Sequence, residues 1–132
     1  MSKQTLCILL ACAALSARAE PVPAPEQERG YALMVAAMLG QAHQVLVRCG
    51  LSQENDPFFA EGNPIQQHMA AHMRRIAPED QAFPQTFYQA YQNAFRQPNP
   101  DFSPEKCRQL DAETVNREKQ RLLERFAAQR GR

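Results

Sequence analysis

The stretch YALMVAAMLGQAHQVLVRCG, residues 31–50, decides how this chain folds. Tyr31, Met34, Met38, Ala42, Val45 and Cys49 recur at intervals of three and four, the spacing that gathers side chains on one face of a helix. Gly50 follows as a natural helix stop. The reading is a first helix over 26–49, with this face turned inward and Cys49 at its end.

Downstream, Asp56-Pro57 and Glu61-Gly62-Asn63-Pro64 bracket Phe58 and Phe59, which reads as a loop pinned by aromatic rings. Asn63 suits an N-cap with Pro64 in the first turn, and Ala77-Pro78 closes this second helix. A third helix carries Phe87, Tyr91, Ala94 and Phe95 and ends before Pro98. Its start is open, because Pro78-Glu79-Asp80 and Pro84 both qualify. Ser103-Pro104-Glu105 opens the last helix, which reads as continuous to about Gln129, roughly 40 Å of helix at 1.5 Å per residue. No strand-length alternation and no internal repeat competes. The fold class expected is all-α, a small four-helix bundle-like domain with one disulfide.

Working back to the N-terminus, Lys3, the apolar run Leu6–Leu15 and Ala17-Arg18-Ala19 form the three parts of a secretory signal peptide. The run covers about 15 Å as helix, half of a bilayer's hydrocarbon, and no later stretch is read as a membrane span. The expected organisation is a signal peptide over 1–19 cleaved near Ala19, a proline-rich extended tether over 20–25, and a single helical domain over 26–132. Leu9-Leu10-Ala11-Cys12 also resembles a lipobox, but Leu10 fits that pattern poorly and the apolar run before it is short. A lipoprotein anchored at Cys12 is therefore the weaker reading, and the localisation expected is periplasmic or secreted.

Cleavage near Ala19 removes two of the 4 cysteines, Cys7 and Cys12. Cys49 and Cys107 remain, one at the end of the first helix and the other in the first turn of the last. In an oxidising compartment they are expected to form a structural disulfide. The C-x-x-C spacing of a redox-active dithiol is missing.

Charge and motifs narrow the function. The full chain has 15 Lys and Arg against 14 Asp and Glu, and losing Lys3 and Arg18 keeps it near neutrality. A nucleic-acid role is not expected, since phosphate affinity grows with the Lys and Arg presented. No G-x-S-x-G, Walker or C-x-x-C-H pattern occurs, so no enzyme and no cofactor are expected.

One candidate metal pattern stands out, QQHMAAHMRR over 67–76, where His68 and His72 lie four apart and Met69 and Met73 likewise. A zinc hydrolase of the H-E-x-x-H type needs glutamate where Met69 stands. Helical angles centre the core face of this helix near Ile65, Met69 and Ile76, with His72 close by and Met73 and His68 on opposite flanks. The ligands therefore diverge and no metal site is expected. The alternative is a periplasmic copper protein using these His/Met pairs, with Met34 and Met38 meeting Met69 and Met73 across the bundle.

The last helix carries the clearest hint of a partner. Cys107, Leu110 and Val115 begin an apolar stripe, Lys119 interrupts it, and Leu122, Leu123 and Phe126 resume it. Lys119, Arg121, Arg125, Arg130 and Arg132 face only Glu124 in that segment. Leu122, Leu123, Arg125 and Phe126 are the candidate partner-binding residues. They would dock on an envelope or secreted protein, and a basic amphipathic end also suits peripheral contact with an anionic membrane surface.

The order helix, cysteine, loop, two helices, cysteine, helix resembles small disulfide-pinned helical proteins of bacterial envelopes, among them the pilotins of type II secretion and periplasmic immunity proteins against interbacterial toxins. That resemblance implies a non-enzymatic, exported accessory or inhibitor protein acting by protein binding.

Overall fold

A computed structural model of the chain describes residues 24–130, with side chains through Phe126. The signal peptide, Cys12, the cleavage site and all but the end of the tether lie outside the described residues. The domain is all-α: α1 (Ala24–Arg48), a 3-10 turn (Pro57–Phe59), α2 (Pro64–Ile76), α3 (Phe83–Arg96), the single turn α4 (Pro104–Cys107) and α5 (Ala112–Arg130). α1 starts at Ala24, so Pro25 occupies its first turn, where the missing N–H is harmless.

The local signals act as their chemistry requires. Asn63 Oδ1 accepts from the Ile65 and Gln66 amides, both at 3.0 Å, and starts α2. Its own amide donates to the Ala60 carbonyl at 2.8 Å, tying the cap to the preceding turn. Asp56 caps the 3-10 turn through the Phe58 amide at 2.9 Å. α3 begins with Pro84 in its first turn, which resolves its start. The Cys49–Cys107 disulfide is formed, across a sequence separation of 58 and a Cα–Cα distance of 5.3 Å.

α1 is the central helix and packs along α3, with α2 against both and α5 resting chiefly on α2. Its buried residues are Ala32, Ala36, Gly40, His43 and Gln44. This corrects the inward face expected from the sequence, because Tyr31, Met34 and Met38 are 50%, 52% and 63% exposed. The physical reason is that small residues spaced by four let two backbones approach, and at Gly40 even a Cβ would lie 2.3 Å from the Tyr91 carbonyl oxygen. Gln44 Nε2 donates to the Phe95 carbonyl at 2.7 Å, and Gln41 Nε2 donates to that of Ala94. Gln44 thus supplies a donor to the Phe95 carbonyl at the end of α3, and Gln41 adds a second donor to the Ala94 carbonyl, which also accepts the Gln97 amide at 3.3 Å.

By length and composition α1 would also pass for a membrane-crossing helix, which the sequence reading did not expect. From Gly30 to Val47 it carries no Lys, Arg, Asp or Glu. The α3-facing stripe shows why such a composition serves here: one side of the helix is core.

The last helix is broken. Arg108, Gln109 and Leu110 donate to the carbonyls of Glu105, Lys106 and Cys107 in tight i to i+3 bonds, and the chain restarts as helix after Asp111. Asp111 Oδ1 accepts the Thr114 amide at 2.7 Å, and this bond holds the Asp111 carboxyl below its ordinary pKa. An N-cap aspartate inside the expected continuous helix is the signal that divides it.

Candidate functional site

Between α1 and α5 the domain leaves an apolar groove. One part, of about 380 Å³, lies between Tyr31, Met34, Met38 and Leu39 on α1 and Leu122 and Phe126 on α5. A second, of about 370 Å³, continues it past Val45 and Leu46 to Phe58, Phe59 and Val115. Leu39, Ala42 and Leu122 border both, so the two form one trough. Its floor is partly core, since Ile65 and Phe59 are 1% and 4% exposed.

The candidate residues of the last helix belong to this groove in part. Leu122, Arg125 and Phe126 line it, and Phe126 also packs on the core and lies 5.0 Å from the His68 ring. Leu123 is half-buried and borders neither part of the trough. Sequence reasoning missed the α1 wall, because it assigned Tyr31, Met34 and Met38 to the core. The available signal was the absence of charge over 30–47, which leaves large apolar side chains on more of the helix than one neighbour can cover.

Lys119, which broke the apolar stripe, is an anchor rather than an exposed charge. Its side chain is 19% exposed and its Nζ donates to Asp56 Oδ2 at 2.7 Å, against 15% exposure for Asp56. The ammonium stands 5.4 and 5.6 Å from the Phe58 and Phe59 ring centres, within cation–π range. Burial alone would raise the Asp56 carboxyl, but hydrogen bonds from Lys119, Ser52 Oγ and the Phe58 amide override it and hold the pKa at about 2. This pair fixes α5 to the 3-10 turn and sets one end of the groove.

Behind that end lies His43, which is fully buried. Its Nε2 sits 2.8 Å from the Gln53 carbonyl oxygen, which can only accept, so Nε2 carries the proton. Nδ1 then accepts from the Tyr91 hydroxyl at 2.5 Å. The ring stacks on Phe59 with centroids 4.1 Å apart. Burial pushes His43 below its ordinary pKa and raises Tyr91 to about 12. Both groups are neutral and both ring nitrogens are taken by protein partners, so this cluster organises the core and presents no atom to a ligand.

These shifts define a pH dependence. Both His43 and Asp56 have folded pKa values below their unfolded ones, so each contributes stability above the unfolded value that is lost as pH falls. Stability is expected to fall first below about pH 6.5, as unfolded His43 protonates, and again between about pH 4 and 2, as Asp56 does. The second step should amount to about 1–2 kcal/mol after allowing for solvent screening. Urea midpoints measured across this range should show both steps in the wild type and a smaller acid step in Asp56→Asn, where Asp111, also held below its ordinary pKa, still protonates.

Of the histidines and methionines of α2, His68, Met69 and His72 border one cavity together with Glu28, while Met73 is turned into the core. Met69 and Met73 are core residues at 5% and 1% exposure. The core face of α2 is therefore turned from Ile76 toward Met73, relative to the expectation. His72 Nε2 lies 3.4 Å from Glu28 Oε2 and its Nδ1 lies 3.3 Å from Arg75, while His68 meets Phe126. Met34 and Met38 stand exposed on the groove rim, so the four thioethers share no face. Among the described residues no three His, Cys, Asp or Glu side chains gather as a metal ion would need.

Comparisons with protein-family models, with curated proteins and with solved structures find no match to this chain.

Proposed function

We propose that this is an exported, non-enzymatic protein of the bacterial envelope, periplasmic or secreted, that acts by binding another protein in the groove between α1 and α5. The observation that carries this reading is the groove itself, in which three large apolar side chains are half exposed or more beside a wall of α5. Contiguous exposed apolar surface rimmed by polar residues often marks a protein-binding site. Export is supported by the leader-like N-terminus and by the disulfide, which persists in oxidising compartments.

A photoreactive amino acid placed at Met34 or Met38 in cells should yield one discrete protein adduct. The same label at exposed Gln89 on α3 should not give it, and the adduct should disappear when exposed Ala42 on the groove is replaced by tryptophan. Adducts of equal yield from Gln89, or adducts to lipid alone, would refute the reading.

A further inference from the structure

We infer that the occupant of this groove is an amphipathic helix of another protein, about four turns long, with an apolar stripe on one side and a carboxylate facing Arg125. This rests on the protein-binding reading above and specifies its partner. The groove follows α1 from Tyr31 to Leu46, about 22 Å at 1.5 Å per residue, the length of a four-turn helix. Both walls are helices whose backbone groups are already paired internally. An extended peptide laid between them would leave its own N–H and C=O groups facing apolar side chains, an unpaired burial that is strongly unfavourable. A helix satisfies its backbone itself and offers only side chains.

Shape and charge point the same way. The two concavities meet at Ala42, a small exposed residue, so a partner backbone can come close at the waist while larger side chains fill the space on either side. Residues spaced i, i+4, i+7 and i+11 on one helix meet that demand. A concave trough is not filled by a flat bilayer.

On the rim, α1 contributes no charge between Gly30 and Val47. On α5, Lys119 is held by Asp56, and Arg121 lies 3.4 Å from Glu118. Arg125 lines the groove, is exposed, and makes no ion pair among the described residues. The unanswered rim charge is thus positive, and an acidic residue beside the partner's stripe complements it.

A displayed library of helical peptides, randomised at stripe and flank positions, tests this by selection on the disulfide-bonded domain with Ala42→Trp as counter-target. Enriched sequences should carry apolar residues at i, i+4, i+7 and i+11 and Asp or Glu on one flank. They should lose binding to Ala42→Trp and weaken by about fivefold on Arg125→Glu, the scale of an exposed ion pair. Enrichment of the apolar stripe without acid would overturn the charge assignment and leave the groove as a binding site. No enrichment over Ala42→Trp would overturn both readings. In that event flotation with phosphatidylglycerol vesicles, or a dimer in sedimentation that Ala42→Trp dissolves, identifies a membrane or a second copy as the occupant.

Discussion

Gly40→Ala is expected to destabilise the domain by about 3 kcal/mol or more, whereas Gly30→Ala in the same helix should stabilise it by about 1 kcal/mol. Within a helix, alanine normally replaces glycine with a gain, because glycine loses more backbone freedom on folding. At Gly30 that gain stands, since nothing lies within 4 Å of the added Cβ. At Gly40 the Cβ would lie 2.3 Å from the Tyr91 carbonyl oxygen, 2.8 Å from Ala94 Cβ and 2.9 Å from the Phe95 nitrogen. Two of these are backbone atoms inside α3, which no rotamer change can move. α1 and α3 would have to separate, and the contacts flanking the site depend on their closeness. Gln44 would lose the Phe95 carbonyl, Gln41 that of Ala94, and His43 the Tyr91 hydroxyl. Leaving such groups buried and unpaired adds to the steric loss. Urea unfolding of both variants measures the contrast. A Gly40→Ala protein as stable as Gly30→Ala would show that the helices do not approach so closely.

What the sequence disclosed and what it withheld follows the range of the interactions concerned. Asn63-Pro64 and Gly50 mark helix ends through bonds to residues two to four positions away, and Pro104 marks the start of α4 although Ser103 makes no side-chain cap bond there, so a local reading finds them. The cysteine pairing was legible because only two cysteines lie beyond the expected leader, each near a helix end. The buried side of α1 was not, because large apolar residues are normally taken as the core, and here Ala32, Ala36 and Gly40 hold that place. Only the partner helix explains why small residues win, and that helix is distant in sequence.

The same holds for Lys119, whose ion partner Asp56 lies 63 residues away. Read locally it interrupts an apolar stripe, but in the fold its aliphatic stem and charge fasten α5 over Phe58 and Phe59. The break before α5 was legible in principle, since Asp111 followed by Thr114 is a capping pattern, but the strong start at Ser103 concealed it. As for the groove, the candidate residues Leu122, Arg125 and Phe126 line its α5 wall. Its α1 wall depended on a face assigned to the wrong side.

Removing the disulfide, by replacing both Cys49 and Cys107 with serine, is expected to lower stability by about 4 kcal/mol, the denatured-state entropy of a loop of 58 residues. A loss of that size is a large part of the roughly 5–15 kcal/mol that holds a typical domain folded. The double replacement avoids a free thiol and so isolates the cross-link. The effect should also be uneven along the chain. α4 has no buried residue, and its side of the junction is held by the bond together with the Arg48 guanidinium, 3.7 Å over the Phe102 ring. α5 keeps anchors of its own: Val115, the Lys119–Asp56 pair and Phe126. Without the cross-link α4 is therefore expected to loosen first, α5 to follow through its N-terminal turn, and α3 to remain the most protected helix until global unfolding. Amide exchange should rise most over residues 104–115 and least over Phe87–Ala94. The groove would lose definition at the end formed by Leu110 and Val115 while keeping the end formed by Tyr31 and Phe126. Uniformly increased exchange would mean that the bond acts only through the unfolded chain. A melting temperature unchanged from the wild type would mean that the cross-link contributes nothing, and would sink this account of how a domain with so open a groove stays folded.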